Sequence, residues 1–319
     1  MDRLHRPATA TLVKYIDQNR DRFGGVEPIC RVLCEHGWKL APSTYSKAKT
    51  LPPSARAVRD TVLLQHIHRI HATNYGVYGA RKIWHQLRRE GIEAARCTVE
   101  RLMRSAGLRG VIRGKKIRTT VADPGHQRAG DLVQRNFTAG QPNRTWVADF
   151  THVATWAGVV YAAFVVDVYS RAIVGWSAAT SKHTKLVLDA LDMALWRLDR
   201  AGNPVHSGLI HHSDAGSQYT SFWFTTHLAD VGLDASIGTV GDALDNALME
   251  STIGLYKTEL IKPRRPWRSL SDVELATAEW VDWFNHHRLH SAIGHLPPAE
   301  YESMFYAHTT PSRPELVTN

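Results

Sequence analysis

Little in this sequence points to a secreted or membrane-bound protein. It holds only three cysteines, Cys30, Cys34 and Cys97, too few for a disulfide framework. No apolar run reaches the ~18 residues that a membrane span needs. The charged start, residues 1–6, is followed by no apolar core, so no secretory leader is expected. Internal repeats and long low-complexity tracts are missing. A nucleotide-cradling loop is missing too: residues 110–116 lack the Gly-x4-Gly-Lys-Ser/Thr spacing, so no ATP dependence is expected. Cys30, Cys34 and His36 lack partners at zinc spacing, and His66, His68 and His71 lack cysteines, so no structural zinc is expected. The chain reads as cytosolic.

What is present is enough apolar material for real cores: 43% of 319 residues, a length that suggests two or three domains. The net charge of +9 is unevenly spread. Residues 1–54 carry +4, residues 55–120 carry +11 from fifteen cations against four anions, and residues 121–319 carry −6. Basic surface favours phosphate backbones through counterion release. An acidic remainder still suits nucleic acid if its carboxylates hold metal ions.

The first third has helical periodicity. Residues 9–23 place Leu12, Val13, Ile16 and Phe23 on one face, and Gly24-Gly25 ends them. A second helix is expected over 26–35, stopped by His36-Gly37, and a third from Pro42 through Lys49. This order fits a helix-turn-helix or an ordinary helical hairpin equally well. After a Pro-rich linker at 51–54, helices are expected over 58–71, 79–90 and 98–106. The last carries Arg101 and Arg104, and a basic tail containing Lys115 and Lys116 follows. A charge run is often only a solvated face. An excess this large favours a helical DNA reader.

Residues 121–142 read as a linker. Beyond them the period changes to strand-like runs at 146–153, 159–168 and 173–177. An amphipathic helix over 182–198 leads to a strand at 209–212, a helix at 221–231, a strand at 235–237 and a helix at 243–260. The order βββαβαβα predicts a mixed sheet flanked by helices.

Three carboxylates stand out. Asp149 interrupts an apolar strand, which is costly unless compensated. Asp214 ends the fourth strand, where open α/β sheets place ligands. Glu250 sits on the helix of 243–260. Taken singly, these could be a satisfied core acid, a helix cap and a surface charge. Thirty-five residues separate Asp214 from Glu250.

The blocks Trp-Val-Ala-Asp-Phe-Thr at 146–151, His-Ser-Asp-Ala-Gly-Ser-Gln-Tyr at 212–219 and Asp-Asn-Ala-Leu-Met-Glu at 245–250 resemble the catalytic blocks of DDE transposases and retroviral integrases. The spacing of thirty-five is that family's signature. The likeness is to insertion-sequence transposases of the OrfA/OrfB type. It extends to residues 161–175, with Asp167, Ser170-Arg171 and Val174-Gly175, and to the tail 283–290 followed by Pro297-Pro298. Upstream, residues 75–81, Arg101 to Arg104 and Gly107-Leu108 resemble the family's helical DNA-binding module. The likeness spans about residues 25–305.

The resemblance implies a ribonuclease H-like core over 143–262, preceded by helical segments at 1–50 and 51–120 and followed by a helical extension at 263–319. It implies that Asp149, Asp214 and Glu250 hold two Mg²⁺ ions, for which Mn²⁺ may substitute; hard cations suit carboxylates. The reaction implied is cleavage at the transposon's 3′ ends followed by strand transfer. Lys257, seven residues past Glu250, is placed for a phosphate, as are Arg81, Arg101, Arg104, Lys115 and Lys116. Asn246 would orient Glu250 or touch DNA, and a helix-start role fits it equally. His183 has no assigned role, and His211 reads as packed within its strand. Implied partners are the transposon ends and target DNA, further copies of the chain, and the product of an upstream reading frame or a fusion with it. No membrane partner is expected, and the place of action would be the nucleoid of a bacterial cytoplasm. A DNA-binding protein that has lost catalysis and a nuclease that cuts without joining are the alternatives. The three carboxylates argue against the first, and the helical DNA-reading segments against the second.

Overall fold

The computed structural model describes residues 7–112, 139–202, 208–238 and 247–309. The linker expected over 121–142 lies outside them up to residue 138, as do Lys115, Lys116 and Asn246. The chain divides into two compact units, Met1–Gln65 and His66–Asn319.

The first unit begins with α1 (Thr9–Asn19), α2 (Val26–Glu35) and α3 (Pro42–Thr50). Leu12 and Ile16 lie four apart on one face of α1 and pack with Ile29, Cys30, Leu33, Leu40 and Tyr45. Gly37 ends α2 at φ +83°, a left-handed cap that lets Trp38 N donate to Leu33 O at 2.8 Å. Pro42 opens α3, where its missing N–H costs nothing. The Tyr45 hydroxyl donates to Asp17 Oδ1 at 2.6 Å and Lys49 Nζ to Oδ2 at 3.1 Å, tying α3 to α1.

The division between units falls inside α4 (Ala55–Thr73). The second unit continues with α5 (Ala80–Arg89) and α6 (Arg96–Ser105), which bury Ile83, Leu87, Val99, Leu102 and Met103. A five-stranded sheet follows, built from β1 (Thr145–Thr155), β2 (Gly158–Asp167), β3 (Ile173–Ala179), β4 (Ile210–Ser213) and β5 (Asp234–Ile237). Its order is β3-β2-β1-β4-β5. The first three strands pair antiparallel, while β4 runs parallel to both β1 and β5. This is the expected mixed sheet.

Each face of the sheet has its own helical layer. Trp146, Ala148, Ala163 and Val165 pack under α7 (Thr184–Arg200) and α8 (Phe222–Asp230). Gly175 makes that layer possible: a Cβ there would stand 2.0 Å from Ala190 O on α7. The other face receives α9 (Ala247–Leu255) and α10 (Leu270–His286). There Phe164 meets Tyr256 edge-on at 4.9 Å, and Tyr256 meets Trp280 at 5.2 Å. Side chains alternate along a strand, so Asp149 lies on this second face, opposite Trp146 and Ala148.

The helix expected over 243–260 differs from the one observed. Residues 243–246 lie outside the described region, and α9 passes into a π-helical turn at Tyr256–Ile261. The wider turn changes the angular phase, which a count at 3.6 residues per turn does not show.

The tail motif at 283–290 is structural. Asn285 clamps Ile173, accepting from its N–H and donating to its carbonyl, both at 2.9 Å. Arg288 forms a two-pronged ion pair with Glu259 at 2.9 and 2.7 Å, with both side chains only 6% exposed. Trp283 Nε1 donates to Asn74 Oδ1 at 3.1 Å, and Leu289 N donates to Tyr78 Oη at 2.7 Å. The second unit thus closes its sheet, its π turn and the residues around α5 with one segment; α11 (Pro298–Thr309) follows it.

Candidate active site

Parallel pairing of β1 with β4 sets the centre of the site. Ala148 is in register with Ser213, the last residue of β4. The next residue on each strand is a carboxylate, Asp149 and Asp214. Neighbouring strands lie about 4.8 Å apart, so the register makes these two side chains neighbours. Asp149 remains paired to Phe164 of β2 on its other side. Beyond Ser213 the chain turns, and Asp214 Oδ1 accepts from Gly216 N at 3.2 Å.

The pair is electrostatically strained. Burial pushes the Asp149 carboxyl up to about 7, and the Asp214 charge adds to the rise. The Phe150 N–H, which donates to Asp149 Oδ1 at 2.7 Å, and the Lys257 ammonium pull the other way. Asp214 is more exposed, and the side of its carboxyl that the protein covers raises it, offset in part by the Gly216 N–H and by His212. A desolvated carboxyl beside a like charge keeps its proton until a cation compensates it.

Lys257 reaches this pair from the π turn. Burial lowers its ammonium, and the Asp149 charge partly restores it. Glu250 sits half-buried in the first turn of α9. Among the described residues, no three His, Cys, Asp or Glu side chains lie close enough together to hold a metal ion. The structure therefore brings Asp149, Asp214 and Lys257 together and leaves Glu250 outside a three-carboxylate cluster. Arg81 is exposed on the first turn of α5, and Arg101 and Arg104 are exposed on α6.

Several residues around the pair carried no assigned role in the sequence. Tyr219 is buried, and both carboxylates bear on its hydroxyl, whose pKa burial raises first. That hydroxyl and both ring nitrogens of His211 are buried without hydrogen-bond partners. His211 packs edge-on against Phe224 at 5.3 Å, as expected for a packed strand residue, and burial lowers its imidazole to about 4. Gln218 Nε2 donates to Lys182 O at 2.9 Å, bracing the turn after Asp214. Asp167 accepts from Ser170 N at 2.7 Å, Ser170 Oγ at 2.8 Å and Asn143 N at 2.9 Å, so it anchors the β2–β3 turn. The run Lys262 to Arg268 was hidden by averaging charge over a long acidic segment, although it holds four cations and no anion.

No helix among the described residues is long and apolar enough to cross a membrane. Residues 139–243 and 231–298 match models of the integrase core domain, and residues 58–116 match an HTH-like domain. A Mycobacterium tuberculosis protein, provisionally named as the transposase for insertion sequence element IS986/IS6110, is 57% identical over 84% of this chain and 96% of its own. The transposase for insertion sequence element IS629 of Shigella sonnei is 49% identical over 93% of this chain and 97% of its own. Among solved structures, an HTLV-2 integrase catalytic core domain in complex with magnesium aligns with 52% of this chain and 99% of its own, at 19% identity and a TM-score of 0.40. That likeness is too distant to argue from. With relatives this similar over nearly their full lengths, and an integrase core behind an HTH-like domain, the chain belongs to the insertion-sequence transposases.

Proposed function

We propose that this transposase cleaves the 3′ ends of its element and joins them to new DNA, with Asp149, Asp214 and Glu250 holding divalent ions. The observation that carries the reading is the Asp149–Asp214 pair, side by side where the pairing of β1 with β4 ends, with pKa values raised by burial and, at Asp149, by the Asp214 charge. A desolvated carboxylate beside a more exposed one, with few compensating donors, suits a hard cation. Mg²⁺ would take Asp149 and Asp214 as ligands from the sheet, and Glu250 would complete the set from α9. When bound, two such ions supply charge stabilisation to the attacking and leaving oxygens of an in-line phosphoryl transfer.

The chain's own groups do the rest. Lys257, held beside Asp149, places an ammonium where a phosphate would approach the pair. The buried Tyr219 hydroxyl lies within the electrostatic reach of both carboxylates. Arg81, Arg101 and Arg104 offer exposed cations on the HTH-like helices, where phosphate contacts fix register along the duplex. Holding two ends at once calls for more than one copy, and the upstream reading-frame product would be a further partner.

The test is an assay of purified chain with labelled terminal-repeat duplex and Mg²⁺ or Mn²⁺. Cleavage and joining that need the metal and vanish in Asp214→Asn are expected. Cutting without joining would make the protein a nuclease. Binding that persists, with neither step recovered when the upstream product is fused, would leave only a DNA-binding role.

A further inference from the structure

The catalytic half of the chain carries a basic surface that its overall charge conceals. Residues 121–319 total −6, yet Lys262, Arg264, Arg265 and Arg268 fall within seven residues that contain no anion, and all four are exposed. This run leaves the π turn that bears Lys257. Lys262 N donates to Lys257 O at 2.9 Å, and the two side-chain charges bear on each other. A line of cations therefore starts at the carboxylate pair and leads away from it.

The loop is firmly built. Trp267 is buried, with Nε1 donating to Ile261 O at 3.0 Å, and Arg268 N donates to Asp272 Oδ2 at 3.1 Å. The β1–β2 turn docks on it through two backbone bonds, Trp156 N to Trp267 O at 3.0 Å and Ala157 N to Arg268 O at 3.1 Å. These bonds hold Trp156 beside the cations, with 72% of its surface in water. An exposed indole among cations is the surface chemistry that grips nucleic acid, with charge for the backbone and a ring for a base. Arg264 has another task. Its guanidinium lies 4.9 Å over the Tyr75 ring and reaches Glu279 at 3.5 Å. It fastens the loop to Tyr75, in the segment that leads into α5.

We propose that Lys262, Arg265, Arg268 and Trp156 form a second DNA-contact surface, which grips the transposon-end duplex between the HTH-like helices and the carboxylate pair. The inference rests on the reading that the chain acts on its own ends. Its tie to Tyr75, within the segment that matches the HTH-like domain, assigns the surface to the end rather than to the target. The three cations contact phosphates, and Trp156 stacks on a base loosened beside the cut.

The test uses the full chain, a labelled terminal-repeat duplex and anisotropy titrations between about 50 and 200 mM salt. Each phosphate contact contributes about 0.9 to the log–log salt slope, so Lys262→Ala/Arg265→Ala/Arg268→Ala should lower it by roughly 2–3. Trp156→Ala should leave the slope unchanged and weaken binding roughly tenfold. An unchanged slope in the triple variant overturns the proposal. So does an unchanged slope with loss of target capture by a pre-cleaved end, which would give the surface to target DNA. Wild-type chain that binds ends but neither cuts nor joins sinks the proposed function instead, and the slope is read independently of it.

Discussion

Asp149 and Asp214 are held by the sheet, whereas Glu250 is held by a helix. The first two follow the paired residues Ala148 and Ser213, so ladder hydrogen bonds set their separation. Glu250 rides on α9, whose place depends on packing and on the π turn that continues it. That turn is fastened in turn by Glu259 to Arg288, twenty-nine residues further on. Backbone pairing tolerates little adjustment, while a helix docked through side chains can shift by fractions of an ångström as a ligand binds. If Glu250 serves the proposed site, two of its carboxylates come from a paired sheet and the third from a docked helix.

The largest effect should come from changing reach on the rigid side. Asp214→Glu carries the carboxyl one bond further from the end of β4, and strand transfer should fall by about 10³-fold, the scale of losing one precisely placed electrostatic group. Glu250→Asp should cost at least tenfold less, since α9 can follow. Equal losses in single-turnover rates would erase the contrast. Next in size is the fastening of the helix. Glu259→Gln leaves Arg288 charged and buried without its partner, which costs about 3–5 kcal/mol in urea unfolding. A loss below about 1 kcal/mol, the range of exposed pairs, would mean that the pair does not hold the turn.

A smaller effect concerns pH. The folded pKa of Asp149, about 7, stands above the ordinary 3.8. The retained proton stabilises the metal-free fold fully below about pH 4, and that stability is lost as pH rises through 7. Without divalent ions at pH 8, Asp149→Asn should therefore be more stable than wild type by about 2 kcal/mol, or roughly 4–8 °C in Tm. The gap should close at pH 4. Excess Mg²⁺ should narrow it at pH 8 by stabilising wild type alone. A variant no more stable at pH 8 would mean that the sheet pair is not strained.

The rigid half of the site was the legible half. A charge inside an apolar strand and another at a strand's end are local signals, and Asp149 and Asp214 stand where those signals put them. The helices closed by Gly37 and opened by Pro42 were legible for the same reason, because the turn chemistry lies within a few residues. What sequence could not show depends on distant partners. Asn285 meets Ile173 across 112 positions, and Tyr78 meets Leu289 across 211. Residues 283–290 were recognisable as a block, yet nothing local shows that they fasten the fold. The π turn has no signature in a 3.6-residue apolar period, and the cations of 262–268 vanish in the net charge of the acidic segment around them.

The clamp of Asn285 on Ile173 also governs what the sheet refuses to do. β3 is an outer strand, and an outer strand offers its backbone to any passing chain. At Ile173 both the donor and the acceptor are taken by one amide from the same polypeptide. Crowding copies onto one stretch of DNA would raise their local concentration steeply, the condition under which open edges zip together. The blocked position withdraws the first residue of that edge from pairing with another chain.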